Sequence, residues 1–215
     1  MIYFSNDDLL KENKIKRLNL VNSITGIKPA NLVGSISSKK ETNLAIFSSI
    51  VHLGSNPALI GFIIRPMNNI RRHTYENIKE NGVFTINHIH PSFIKNAHFT
   101  SAKFKKKESE FSTCNLTEEY LKGFKAPFVK ESRLKIGLTL SEEVSIKSNG
   151  CVMVIGEVNH LFIEDDCLDN VSGMINLEKN KTIGIGGLNS YYSVSKISDY
   201  EYARVENNPF SNEKK

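Results

Sequence analysis

Short apolar segments that follow one another without helical spacers constrain the fold of this chain most. Residues 134–140 place leucine or isoleucine on one side and lysine, glycine or threonine on the other, which is the two-residue period of a strand. Residues 58–64 form a nearly continuous apolar run, which predicts a strand buried on both faces. Further strands are predicted at 32–36, 43–51, 83–89 and 152–163. This order predicts a mainly β, antiparallel barrel with a few peripheral helices, and not a doubly wound sheet.

The two ends of the chain differ from this central part. Residues 1–20 are predicted to be a helical segment, with a helix over 6–19 that begins at Asn6 and aligns its apolar residues on one face. Residues 207–215 read as a loose, flexible polar tail. Because no linker rich in Pro, Gly or Ser divides the sequence, we expect a single domain over residues 1–215.

Composition and targeting signals narrow the class of protein. Hydrophobic residues make up 40% and charged residues 24%, as in ordinary soluble globular proteins. The longest apolar stretch is too short to cross a bilayer, and the charged residues near Met1 are unlike a secretory leader. The three cysteines, Cys114, Cys151 and Cys167, show no disulfide or zinc spacing and predict reduced thiols. We therefore expect a cytoplasmic protein that has no membrane partner.

The net charge of +5 raises the question of a nucleic-acid partner. The densest basic run comprises Lys103 and residues 105–107, and it lies beside Glu108 and Glu110. A nucleic-acid binder usually concentrates its positive charge on one face. This mixed run instead favours a solvated loop, and a nucleic-acid-binding module stays a remote alternative.

A short predicted helix near residue 74 is the first candidate binding site. Helix N-termini present free N–H groups and partial positive charge, so Arg71, Arg72 and the hydroxyl of a capping Thr74 would suit a phosphate group. The stop signal for this helix is Gly82. The alternative is a capped surface helix with two solvated arginines, which spacing alone favours.

Polar residues within the apolar segment 42–51 form the second candidate. Hydroxyl and amide groups that are buried need partners, and a ligand rich in hydrogen-bonding groups, such as a ribityl chain, would supply them. The alternative is a half-exposed strand whose serine and threonine side chains face water. Composition leaves both interpretations open.

Three further motifs contain histidine or glycine residues in arrangements that could form a site. His98 lies in a small, polar segment and could bind a ligand carbonyl, although a structural histidine is the commoner case. His88 and His90 lie on one side of a strand, but no third metal ligand is evident nearby. Residues 184–189 nearly match a dinucleotide-binding motif, but Asn189 replaces its last glycine and no βαβ unit follows, so a turn is predicted. No hydrolytic triad is recognisable.

Taken together, the segments resemble the flavin reductase-like, FMN-binding split-barrel family, especially its flavoredoxin-like branch. The resemblance spans about residues 15–204, and it depends on the order and spacing of motifs that are weak singly. These motifs lie at 19–26, 28–29, 43–49, 52–57, 61–66, 72–74, 77–78, 84–87, 97–98, 100–102, 156–158 and 187–192.

The resemblance implies a fold, a cofactor and site residues. It implies an antiparallel, Greek-key split β-barrel that forms a homodimer with FMN near the interface. Segment 43–49 would follow the isoalloxazine and ribityl groups, 72–74 would lie near the phosphate, and His98 and Ser101 would approach the ring. Asn189 stands where many relatives have Asp. The implied FMN-binding residues are Asn43, Leu44, Ala45, Phe47, Ser48, Ser49, Arg72, His73, Thr74, His98 and Ser101.

The expected activity follows from the cofactor. NADH or NADPH would pass a hydride to the flavin N5, and the electrons would go to a small-molecule acceptor. No acid–base side chain is required for this step, so no catalytic residue and no metal ligand is predicted. The alternative is an FMN-containing electron carrier that a partner protein reduces.

Overall fold

The computed structural model describes residues 1–68 and 70–210, and strands dominate it. In chain order the strands are β1 Lys28–Pro29, β2 Asn31–Ile36, β3 Thr42–Phe47, β4 Val51–Ser55, β5 Ala58–Ile64, β6 Val83–His88, β7 Glu118–Glu119, β8 Phe128–Val129, β9 Leu134–Ile146, β10 Cys151–Ile163, β11 Ile183–Gly186 and β12 Ser190–Ser193. The α-helices are α1 Asn6–Lys11, α2 Lys14–Ser23, α3 His73–Asn81, α4 Ile94–Phe99 and α5 Glu110–Thr113. Single 3₁₀ turns cover Pro91–Phe93, Asp165–Cys167 and Val205–Asn207.

One seven-stranded antiparallel sheet forms the body of the molecule. Its strand order is β3-β2-β6-β9-β10-β5-β4, which leaves β3 and β4 as the two edges. The sheet curls so far that Phe47 of β3 and Phe62 of β5 lie with ring centroids 4.9 Å apart, although four strands separate β3 from β5 in the sheet. An antiparallel barrel that stays open between two edges is the predicted split barrel, and this prediction is confirmed.

Two cores lie on the two faces of this sheet. Val33 of β2 packs inside the barrel with Phe62, Phe84 and Leu138, whereas Leu32 packs on the outer face. This division follows from the alternation of side chains along a strand. The outer core includes residues of α4, α5 and β11. These elements therefore gather beside β3, at one open edge of the barrel.

The strands follow the predicted pattern with two corrections. The strand predicted at 134–140 continues to Ile146. The predicted single strand over 43–51 is wrong, because β3 ends at Phe47 and β4 begins at Val51. In the break, the Ser49 hydroxyl accepts the Ile63 backbone N–H at 3.0 Å, so a side chain replaces a backbone partner. The predicted irregularity at Gly156 is confirmed by a register shift between Ile155 and Gly156.

The N-terminal segment also departs from the prediction. Instead of one helix over 6–19 there are two, and their caps are Ser5 and Asn13, not Asn6. Asn13 interrupts the helix because its side-chain oxygen accepts the Lys16 N–H, a bond that starts a new helix. Ser5 forms a reciprocal capping box with Asp8.

The remaining parts of the chain are peripheral. A three-stranded sheet in the order β1-β11-β12 lies near the outer core, and β7 pairs with β8. None of the helices in the described ranges has the length and hydropathy of a membrane span. Of the predicted tail, residues 207–210 are exposed, while 211–215 lie outside the described residues.

Candidate functional site

A large cleft of about 1000 Å³ opens beside the β3 edge of the barrel. Its walls come from β3, the end of β5, the start of α3, the end of α4 with the following loop, and the turn between β11 and β12. Its volume lies at the upper end of the usual range for ligand pockets, about 300–1000 Å³. The residues predicted from sequence that line it are Asn43, Ala45, Phe47, Ser48, Ser49, Arg72, His73, Thr74, His98 and Ser101.

Leu44 is the predicted site residue that does not line the cleft. Its side chain is fully buried in the outer core. Its backbone N–H, however, points away from β2 and donates to the Glu110 carboxylate at 2.9 Å. Because outward and inward amides alternate along an antiparallel strand, the next outward N–H belongs to Ile46, which lines the cleft.

Some polar side chains of β3 and of the residues after it form hydrogen bonds within the protein, and others do not. Asn43 donates through Nδ2 to the Thr74 hydroxyl at 2.9 Å, which ties β3 to α3. The Ser49 hydroxyl is held by the backbone of Ile63. The half-buried Ser48 makes no side-chain hydrogen bond to any residue that the structure describes. The Thr74 hydroxyl accepts from Asn43 and keeps its own proton for a further acceptor.

The start of α3 corrects the predicted cap and separates the two arginines. Arg72 is the N-cap and Thr74 is a buried first-turn residue, so the prediction of Thr74 as the cap is wrong. Arg71 forms an ion pair with Glu76, with N–O distances of 2.8 and 2.5 Å. Arg72 donates only to the Pro66 carbonyl, at 3.3 Å, and its Nε is buried without a partner among the described residues.

An unpartnered buried guanidinium nitrogen is the kind of group that a bound anion satisfies. Leaving a buried donor unpaired costs about 1–3 kcal/mol, and more for a charged group. The adjoining first turn of α3 adds free backbone N–H groups and partial positive charge. Next to it, burial lowers the pKa of His73, which disfavours the charged form of this imidazole. Arg72 is therefore the cation at the start of α3 that has a buried donor unsatisfied by the described residues.

The opposite wall is built around an aromatic pair. The His98 Nδ1 lies 2.9 Å from the Tyr191 hydroxyl, and the two rings pack edge to face. Burial raises the pKa of Tyr191 to about 12, so its hydroxyl stays protonated and can donate to His98. The Ser101 hydroxyl donates to the His98 carbonyl at 2.7 Å. Both predicted residues line the cleft, although their polar groups are already held in place.

Several cleft residues were not predicted. Lys28 lines it and donates through Nζ to the Asn22 carbonyl at 2.7 Å, while Arg65 ends the wall formed by β5. Glu110 borders the cleft at β3 and is 6% exposed. Lys28 and Arg65 lie within segments of the family resemblance, which was the available signal. No sequence pattern around Glu110 predicts its place in the cleft, because its hydrogen-bond partner, Leu44, is distant in sequence.

The other motifs do not form ligand sites. No group of three or more metal-ligating side chains occurs in residues 1–68 and 70–210. His90 caps the 3₁₀ turn Pro91–Phe93. Gly186 and Gly187 shape the predicted turn, which leads from β11 into β12. In the basic run, Lys106 lies 3.7 Å from Glu76, so this loop mixes charges of both signs.

Comparison with known proteins agrees with this architecture. The family model described as "Flavin reductase like domain" matches residues 27–178. A structure from Shewanella frigidimarina, described as a candidate flavin reductase with a split barrel domain, is 43% identical, covers 94% of this chain and 100% of its own, and has a TM-score of 0.90.

Two more distant structures share the fold. Flavoredoxin of Desulfovibrio vulgaris is 22% identical, with a TM-score of 0.72 over 82% of this chain and 92% of its own. An FMN-binding protein from Thermus thermophilus is 16% identical, with a TM-score of 0.65 over 82% of this chain and 91% of its own. The family model covers well over half of the described residues, and its fold is the one built above. The chain belongs to the flavin reductase-like domain family.

Proposed function

We propose that this protein binds FMN in the cleft and uses it as an NAD(P)H-dependent oxidoreductase for a small acceptor. The observation that carries the proposal is the buried Arg72 Nε at the start of α3, which has no partner in residues 1–68 and 70–210 and lies on the wall of a cleft of about 1000 Å³. A flavin mononucleotide has one terminal phosphate and one flat ring system. The cleft offers one anion site and one strand edge that match these two parts.

The residues of the chain would divide the binding between them. Arg72, the Thr74 hydroxyl and the first-turn N–H groups of α3 would hold the phosphate. The outward N–H of Ile46 and the Ser48 hydroxyl would donate to the polar edge of the ring and to the ribityl chain. His98, held by Tyr191, would form the opposite wall. When bound, the flavin supplies the hydride-transfer chemistry, and the protein positions the groups and limits water.

The size of the cleft supports the reductase assignment over the alternatives. The cleft is large for a mononucleotide alone, which leaves room for a nicotinamide beside it. The likeness to flavoredoxin motivates the second candidate, an electron carrier reduced by a partner protein. For the remote alternative, a nucleic-acid surface, the interspersed charges around Lys106 give little support.

The deciding experiment is an absorbance spectrum of the purified protein, followed by anaerobic addition of NADH and then NADPH. We expect flavin bands, native or after loading with FMN, that bleach with one of the two nucleotides. A yellow protein that bleaches only with a ferredoxin-like donor would select the electron carrier. A colourless protein that takes up no added FMN would refute the proposed cofactor.

A further inference from the structure

A buried carboxyl group borders the cleft at the free edge of β3, and the proposed function leaves it without a role. Glu110 begins α5 and is 6% exposed, and its Oε2 accepts the Leu44 backbone N–H at 2.9 Å. The bond occupies the outward amide that precedes Ile46 along the strand. The carboxyl group is therefore fixed beside the strand edge that would receive the flavin ring.

The strand geometry sets the separation between the carboxyl group and that ring. Successive outward amides of a strand lie two residues, or about 7 Å, apart. A ring atom that accepts the Ile46 N–H would thus lie about that far from Glu110. At this separation, with an effective dielectric constant of about 20, one new negative charge raises the proton affinity of a carboxylate about fiftyfold.

We propose that Glu110 takes up one proton when a flavin bound in the cleft is reduced. The inference rests on the proposed function, because it needs FMN in the cleft. Hydride transfer from a reduced nicotinamide oxidises that nicotinamide and adds two electrons and one proton to the flavin, leaving it with one further negative charge. The Glu110 carboxylate then binds a second proton from solvent, which cancels the added charge.

The surroundings of Glu110 favour this response. Within the described part of the chain it forms no ion pair, so no fixed cation holds the carboxylate ionised. Burial already raises its pKa, against the Leu44 hydrogen bond that lowers it. Strand β3 carries no titratable side chain, and Cys114, the residue after α5, interacts electrostatically with Glu110. The other charged or titratable groups that line the cleft are Lys28, Arg65, Arg71, Arg72, His73, His98 and Lys103.

The test counts protons taken up from solvent per two electrons when an electrode, and not a hydride donor, reduces the FMN-loaded protein anaerobically across neutral pH, so that the proton bound by the flavin also comes from solvent. Glu110→Gln keeps an oxygen that can accept the Leu44 N–H but cannot titrate. We expect a count above one and up to two for the natural protein, and a lower count for Glu110→Gln. The matched control Glu142→Gln removes an exposed carboxylate of β9 outside the cleft and should behave like the natural protein.

Infrared spectroscopy gives a second readout that does not depend on the variant folding. The reduced-minus-oxidised spectrum of the natural protein should gain the C=O band of a protonated carboxyl group, and Glu110→Gln should lack it. No such band, or an equal proton count in Glu110→Gln, would overturn the inference while leaving FMN binding intact. Failure to bind FMN would instead count against the proposed function.

Discussion

At the scale of single residues, two adjacent arginines show why residue type alone does not identify an anion site. Arg71 and Arg72 are both positively charged and both line the cleft. Arg71 is neutralised by Glu76, whereas Arg72 has a buried nitrogen that no described residue satisfies. An anion in the cleft would therefore gain much more from Arg72 than from its neighbour.

This difference predicts an unequal response to two matched substitutions. Arg72→Ala should weaken FMN binding by about tenfold to a hundredfold, since a hydrogen bond to a charged group is worth about 1.5–3 kcal/mol. Riboflavin, which has no phosphate, should lose much less affinity. Arg71→Ala is the control and should change neither ligand appreciably. Equal losses for FMN and riboflavin in a fluorescence titration would place the phosphate elsewhere.

A half-buried histidine with a buried ring nitrogen predicts the acid sensitivity of the fold. The Nδ1 of His88 is buried without a partner in the described residues, and burial lowers the pKa of this imidazole to about 4. In the unfolded chain the imidazole titrates near its ordinary value of about 6.5. Between these two values the unfolded state binds the additional proton. The free energy of unfolding should then fall as pH falls through this window, by about 1.4 kcal/mol per pH unit.

Urea unfolding at neutral and mildly acidic pH would measure this contribution. His88→Gln should flatten the pH dependence within the window, while His52→Gln, which changes an exposed imidazole of β4, should leave it unchanged. Identical slopes for the natural protein and His88→Gln would show that His88 is not the titrating group.

At the scale of elements, the bulge in β10 shows how a glycine permits close packing inside the barrel. A Cβ atom at Gly156 would lie 2.5 Å from Cζ of Phe84, far inside van der Waals contact. Phe84 in turn packs edge to face with Phe62, with ring centroids 5.5 Å apart. The register shift at Gly156 thus brings the strand backbone against the largest side chains of the core.

Gly156→Ala should therefore destabilise the protein by about 1–3 kcal/mol through overpacking, measured by chemical unfolding. The background variant Phe84→Leu should remove most of this additional loss, because the shorter side chain leaves space for the new methyl group. If Gly156→Ala were as harmful with Leu at position 84 as with Phe, the contact with Phe84 would not be the cause.

At the scale of the whole molecule, the N-terminal helices leave apolar side chains in water. Ile15 is 72% and Ile24 is 72% exposed, and Val21 of the same segment lines the cleft. Large apolar side chains exposed close together in one segment are typical of a protein–protein interface. We propose that a second copy of the chain covers it, which would place the dimer contact next to the cofactor.

Light scattering on a sizing column should then report a dimer at micromolar concentration. Ile15→Glu should shift the population toward the monomer, because a charge would be buried in the contact. Lys14→Glu, which changes an exposed polar position of the same helix, is the matched control. A natural protein that runs as a monomer would refute the proposed dimer.

The sequence by itself determined the elements that depend on neighbours along the chain. The strand β5 was predicted at 58–64 and is observed at Ala58–Ile64, because an apolar run this short that ends before Pro66 favours a strand over a helix. Its predicted burial on both faces is only partial, since four of its seven residues are half-buried. Helix α3 was predicted to stop at Gly82, which adopts φ 69° as the left-handed end of the helix. In both cases the information lies within a few residues.

Only the tertiary structure decided which polar groups remain available to a ligand. Glu110 and Leu44 are 66 positions apart, and Asn43 and Thr74 are 31 apart, so no local pattern predicts their hydrogen bonds. The same holds for Arg72, whose charge was evident from sequence, whereas its buried nitrogen without a partner in the described part of the chain was not. Hydrogen bonds and burial depend on which segments the fold brings together. The polar groups that the cleft offers to a ligand are therefore decided only by the curled sheet and the elements packed on it.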